Sequence, residues 1–91
     1  MVVYLAWAAV PFDEELVGTT LGPWREVRRA ADQLLLVDSD DTLSRVYHEL
    51  KWSLPDSAAL IVSEVAATPK LRGLAPGTQT WLRARTERSV D

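Results

Sequence analysis

Cysteine is absent from the chain, so neither a disulfide framework nor thiolate chemistry is available to it. That usage fits a reducing compartment, and the cytoplasm is the expected location. A single histidine, His48, excludes a metal centre built on several imidazoles. The four glycines, Gly18, Gly22, Gly73 and Gly77, stand at no spacing that would cradle a phosphate. No apolar run approaches the roughly eighteen residues that a membrane span needs. Residues 1–10 are apolar but carry no basic leader and run into Pro11 and an acidic patch, so they read as a buried strand and not as a signal peptide. Neither a repeat nor a low-complexity tract interrupts the chain.

What is present suffices for one small domain: 91 residues, 47% hydrophobic and 25% charged, an ordinary globular balance. The expected domain covers 1–88, with a core over 2–66, an appendage over 67–88 and a frayed end at 89–91. The net charge of −3 hides an asymmetry. Residues 1–69 hold five basic against eleven acidic side chains, and residues 70–91 hold five against two. Such a basic end can meet an external anion or fold back onto its own acidic body, and the second is expected.

Val2 to Val10 reads as a strand buried on both faces. Asp13, Glu14 and Glu15 then open a short helix, with Phe12 and Val17 at the positions of a hydrophobic staple, and Gly22-Pro23 stops it. Trp24 to Ala31 reads as an edge strand whose arginines discourage pairing with other chains. A turn near Ala31-Asp32 returns the chain as a strand over 33–38; a second short helix over 24–32 is the alternative. Ser39, Asp40 and Asp41 offer a cap for a helix over 41–54, on which Leu43, Val46, Tyr47, Leu50 and Leu54 form one apolar stripe. Pro55 ends it. Ala58 to Val65 is a second buried strand. Thr78 to Arg88 is expected to be a helix capped by Thr78, with Trp81, Leu82 and Arg85 on one side; a strand is the alternative.

The order β-α-β-β-α-β with a C-terminal appendage is that of a ferredoxin-like α+β fold, an antiparallel sheet with both helices on one face. Strands so apolar on both sides need a second cover. The C-terminal segment or another chain must supply it, and a homodimer packed through sheet faces or β edges is expected. The hairpin, the helix over 41–54 and the strand Ser57-Ala58-Ala59-Leu60-Ile61-Val62-Ser63-Glu64-Val65 resemble the small CRISPR-associated ferredoxin-like adaptation proteins and their toxin-like relatives. That resemblance implies a dimer and, for some members, a metal-dependent nuclease marked by an aspartate at the end of the first strand. Here that strand ends Trp7-Ala8-Ala9-Val10, with no carboxylate before Asp13. The resemblance therefore implies association without cleavage.

The remaining candidates are few. Asp38, Asp40 and Asp41 have the chemistry for a hard cation but lack the glycine turn and distal glutamate of a calcium loop, so they read as strand end and helix cap. No cofactor and no metal is expected. At about 100° per residue, Trp52 lies opposite the apolar stripe, near Arg45, His48 and Glu49. A tryptophan so placed suggests an interface anchor, with Trp52, Arg45 and His48 as its residues. Cover by Trp81, or stacking by Arg45, is the ordinary alternative. Arg25, Arg28 and Arg29 form the best basic patch for nucleic acid, although strand alternation puts Arg28 on the other face from Arg25 and Arg29. The leading expectation is a non-catalytic dimeric module acting through protein contacts. A nucleic-acid-associated protein is the alternative, and a pocket enzyme or sensor the third reading.

Overall fold

The computed structural model describes residues 2–12 and 22–86. The helix expected from Asp13, with Val17 of its staple, lies outside the described residues, as do Glu87 to Asp91. Four strands and two helices follow in the order β1 (Val2–Ala8), β2 (Glu26–Ala31), β3 (Leu34–Ser39), α1 (Leu43–Trp52), β4 (Leu60–Glu64) and α2 (Thr78–Thr86). The strands form one sheet in the order β2-β3-β1-β4, every neighbouring pair antiparallel. The expected hairpin is present, turning at Asp32-Gln33. The expected C-terminal helix is present over its described part.

Strand alternation divides the apolar residues between two layers. Tyr4, Ala6, Ala8, Val27, Leu35 and Val37 face α1 and pack with its Val46 and Leu50, with Leu54 just beyond it, and with Phe12 and Trp24. Val3, Leu36 and Ala30 face the other way and pack with Trp81 and Leu82 of α2, flanked by Leu5, Leu34, Val65, Leu71 and Leu74. The second face of the sheet is thus covered by the chain's own C-terminal segment. That is one of the two covers the strands call for, and it removes an uncovered face as the reason for a dimer.

Several boundaries are shorter than the sequence suggests, each for a local reason. β1 stops at Ala8, two residues before Val10, because the backbone bends at Ala9. α1 starts at Leu43 with Thr42 as its cap, the Thr42 hydroxyl accepting from Arg45 N at 3.2 Å. Ser39, Asp40 and Asp41 are therefore not the cap. Ser39 is the buried end of β3, and its hydroxyl accepts from Asp41 N at 2.8 Å and donates to the Pro23 carbonyl. α1 ends at Trp52, two residues before Leu54, with the Ser53 hydroxyl donating to Leu50 O at 2.7 Å. Leu43 is not part of the buried stripe: it is 42% exposed, because the helix meets the sheet only from Val46 onward. Thr78 opens α2, but its hydroxyl accepts from Arg28 Nε at 3.2 Å.

The two sheet edges differ. On β2 the register shifts between Arg29 and Ala31, and Ala30 lies on the α2 side, as alternation from Arg28 places it. Ala75 N donates to Ala30 O at 2.9 Å, and Arg28 donates to the Pro76 carbonyl, so the C-terminal segment runs along this edge. β4, the other edge, pairs only with β1 among the described residues. No helix among the described residues is long and apolar enough to cross a membrane.

Candidate interaction surfaces

The outer face of α1 is set by the stripe that buries Val46 and Leu50, since residues half a turn away must point outward. Trp52 is 71% exposed there. Its ring lies 6.0 Å from that of His48, tilted by 59°, and His48 meets Tyr47 edge-on at 5.4 Å. Trp52 borders two concavities. One is lined by Ser44, Arg45, His48, Glu49 and Trp52, the other by Tyr47, Lys51, Trp52, Leu54, Ala58 and Leu60 among others.

Neither ordinary explanation of Trp52 holds. Trp81 is buried on the opposite side of the sheet. Arg45 turns towards Asp41, with Nε 3.4 Å from Oδ2. Trp52, Arg45 and His48 thus share one surface, as their spacing suggests.

His48 is held by its own helix. Nδ1 lies 2.7 Å from the Ser44 carbonyl, which can only accept, so Nδ1 carries the proton. The Ser44 hydroxyl is 3.5 Å from the same nitrogen, at the limit of a hydrogen bond. A protonated Nδ1 cannot take the proton of Ser44, so the pair is not a nucleophile with its base.

Arg25, Arg28 and Arg29 do not converge. Arg25 pairs with Asp40 and has Nε 3.6 Å from Asp38 Oδ1. The Arg25 hydrogen bond holds the Asp40 carboxyl below the usual carboxylate range, and the same bond raises the guanidinium. Arg28 reaches Thr78 and Pro76 on the α2 side. Arg29 donates to Phe12 O at 3.2 Å and lies 3.8 Å from Asp32. Each arginine answers an acceptor of its own chain.

The basic C-terminal segment folds back in the same way. Arg85 Nε bonds Asp38 Oδ2 at 3.0 Å and Nη2 bonds Glu26 Oε1 at 3.1 Å, while its guanidinium lies 4.0 Å over the Trp81 ring. The Trp81 indole N–H donates to the same Glu26 carboxylate. Asp38 and Glu26 are cross-strand partners in the β2–β3 register, so one arginine staples α2 to both strands. The acidic triplet is accordingly divided: Asp38 serves this staple, Asp40 serves Arg25, and Asp41 Oδ1 accepts from Thr42 N at 3.0 Å. Among the described residues no group of three or more metal-ligating side chains comes together.

One surface escapes sequence reasoning. Trp7 and Ile61 are register partners on β1 and β4, exposed by 43% and 59% on the α2 side of the sheet. They lie beyond the reach of α2. Nothing local distinguishes Trp7 from its buried neighbours, because its exposure depends on how the C-terminal segment lies across the sheet. Comparison with known proteins finds no family model, no curated protein and no solved structure that matches the chain.

Proposed function

We propose that the protein is a non-catalytic, self-associating ferredoxin-like module that acts through protein contacts, with the outer face of α1 as its contact surface. The sheet order β2-β3-β1-β4 with all pairs antiparallel supports the ferredoxin-like reading; the helix that would join β1 to β2 falls among residues 13–21, outside the described residues. The observation that carries the function is Trp52. A tryptophan 71% exposed on a helix, beside a second aromatic ring and between two concavities, is the kind of residue that anchors protein interfaces. The internal commitments of Arg25, Arg28 and Arg29 favour protein over nucleic acid as the partner.

The test places a photoreactive benzoylphenylalanine at position 52 in the source cell, identifies what it captures, and measures that partner's affinity for wild type and Trp52→Ala. A hot-spot anchor is worth about 2 kcal/mol or more, so the substitution should weaken binding about thirtyfold or more. Unchanged affinity would refute the role of Trp52. Nucleic acid captured there, with affinity falling steeply with salt and on loss of Arg25 and Arg28, would replace the protein partner with a nucleic acid.

A further inference from the structure

We infer that the outer edge of β4 is the seam of a homodimer in which two copies join their sheets antiparallel, with Val62 facing Val62 across a two-fold axis. The inference rests on the self-association proposed above and specifies its site. Val65 N donates to Val3 O, and Ala9 N donates to Ala59 O. In this antiparallel register the odd-numbered residues of β4 therefore turn their backbone groups to β1. Leu60, Val62 and Glu64 turn theirs outward. An unpaired row of this kind is a template for another strand unless it is protected. β2 carries arginines, an irregular register and the flanking segment at 75–76. β4, Leu-Ile-Val-Ser-Glu, has no proline, no basic residue and one charge at its end.

The occupant follows from the self-complementarity of the strand. With the axis at Val62, Leu60 faces Glu64 of the other copy and the two exchange both backbone bonds, as do the two Val62 residues. No like charges meet. Leu60 and Glu64 lie on the α1 side, since their partners Ala8 and Tyr4 belong to that layer. Glu64 of one copy thus enters the concavity that Lys51 and Leu60 of the other line. Lys51 and Glu64 are both exposed, and among the described residues neither forms an ion pair within its own chain. The symmetry makes this cation–carboxylate contact twice. On the other side Ile61 meets Ser63 of the second copy, and the exposed Trp7–Ile61 pair borders the seam.

Sedimentation equilibrium on the full chain tests this with wild type, Lys51→Glu, Glu64→Lys and the double exchange. Wild type should sediment as a dimer of 10.1 kDa chains. Each single reversal should raise the dissociation constant about tenfold or more, because it replaces attraction by repulsion at both symmetry-related contacts. The double exchange should restore the wild-type constant, which a folding defect would not do. A monomeric wild type at high micromolar concentration overturns both the seam and self-association, whereas a dimer indifferent to the single reversals overturns the seam alone. A dimer weakened by either single reversal but not restored by the exchange overturns the Lys51–Glu64 register.

Discussion

Trp52 and Trp81 stand on helices that lie against opposite faces of one sheet, and the same substitution at each should have very unequal consequences. Trp81 is 8% exposed, donates its indole N–H to Glu26 and carries Arg85 over its ring. Truncating a buried tryptophan costs about 3–5 kcal/mol. Trp52 is 71% exposed, and surface substitutions away from packed features stay within about 0.5 kcal/mol. For a domain of this size each kcal/mol moves Tm by about 4–8 °C. Trp81→Ala should therefore lower Tm by about 12 °C or more, and Trp52→Ala by at most about 4 °C. Thermal and urea unfolding followed by far-ultraviolet circular dichroism measures both without relying on the tryptophans themselves. Equal losses, or a larger loss at position 52, would refute the assignment of α2 as the cover of the second face and of Trp52 as a surface residue.

Thr42→Ala should cost about 0.5–2 kcal/mol through loss of the α1 cap, with Thr42→Ser retaining most of it; a urea midpoint unmoved by Thr42→Ala would return the cap to Ser39–Asp41. Gly22→Ala should destabilise by about 1 kcal/mol or more, because φ is +140° and a Cβ would stand 2.7 Å from the Trp24 ring; unchanged unfolding would show that the loop adopts another course. Burial, aided by Glu64 and Asp41, raises the Tyr4 phenol above its ordinary value. The folded chain then holds this proton more tightly than the unfolded one, so the contribution is complete below about pH 10 and is lost as pH rises beyond it. Tyr4→Phe should flatten the alkaline fall in stability, and an unaltered fall between pH 9 and 12 would assign it to other groups.

Much of the local structure is legible in the residues themselves. The hairpin, the helix ending before Pro55 and the apolar β4 follow from periodicity and breakers, which act over a few residues. The outward place of Trp52 follows equally, because Val46, Tyr47 and Leu50, buried or half-buried on the same helix, define its phase. The cap at Thr42 is not legible in this way, since Ser39, Asp40 and Asp41 also carry capping oxygens and the position of the cap turns on where β3 stops. Arg25, Arg28 and Arg29 look alike in sequence, yet each is claimed by an acceptor brought from elsewhere in the chain.

By itself, then, the sequence determined the elements seen among the described residues, the buried faces of the strands and of most of α1, and the need for a second cover over the sheet. Only the tertiary structure decided that the segment after β4 supplies this cover, that Arg85 staples it to Asp38 and Glu26, and that Trp7 and Ile61 are left outside it. The physical reason is range. Periodicity is set by the backbone of each segment, whereas exposure and ion pairing depend on contacts between residues about fifty positions apart, such as Asp38 and Arg85. The bare edge of β4 belongs to the same class: a strand's own residues cannot say which of its two sides will find a neighbour.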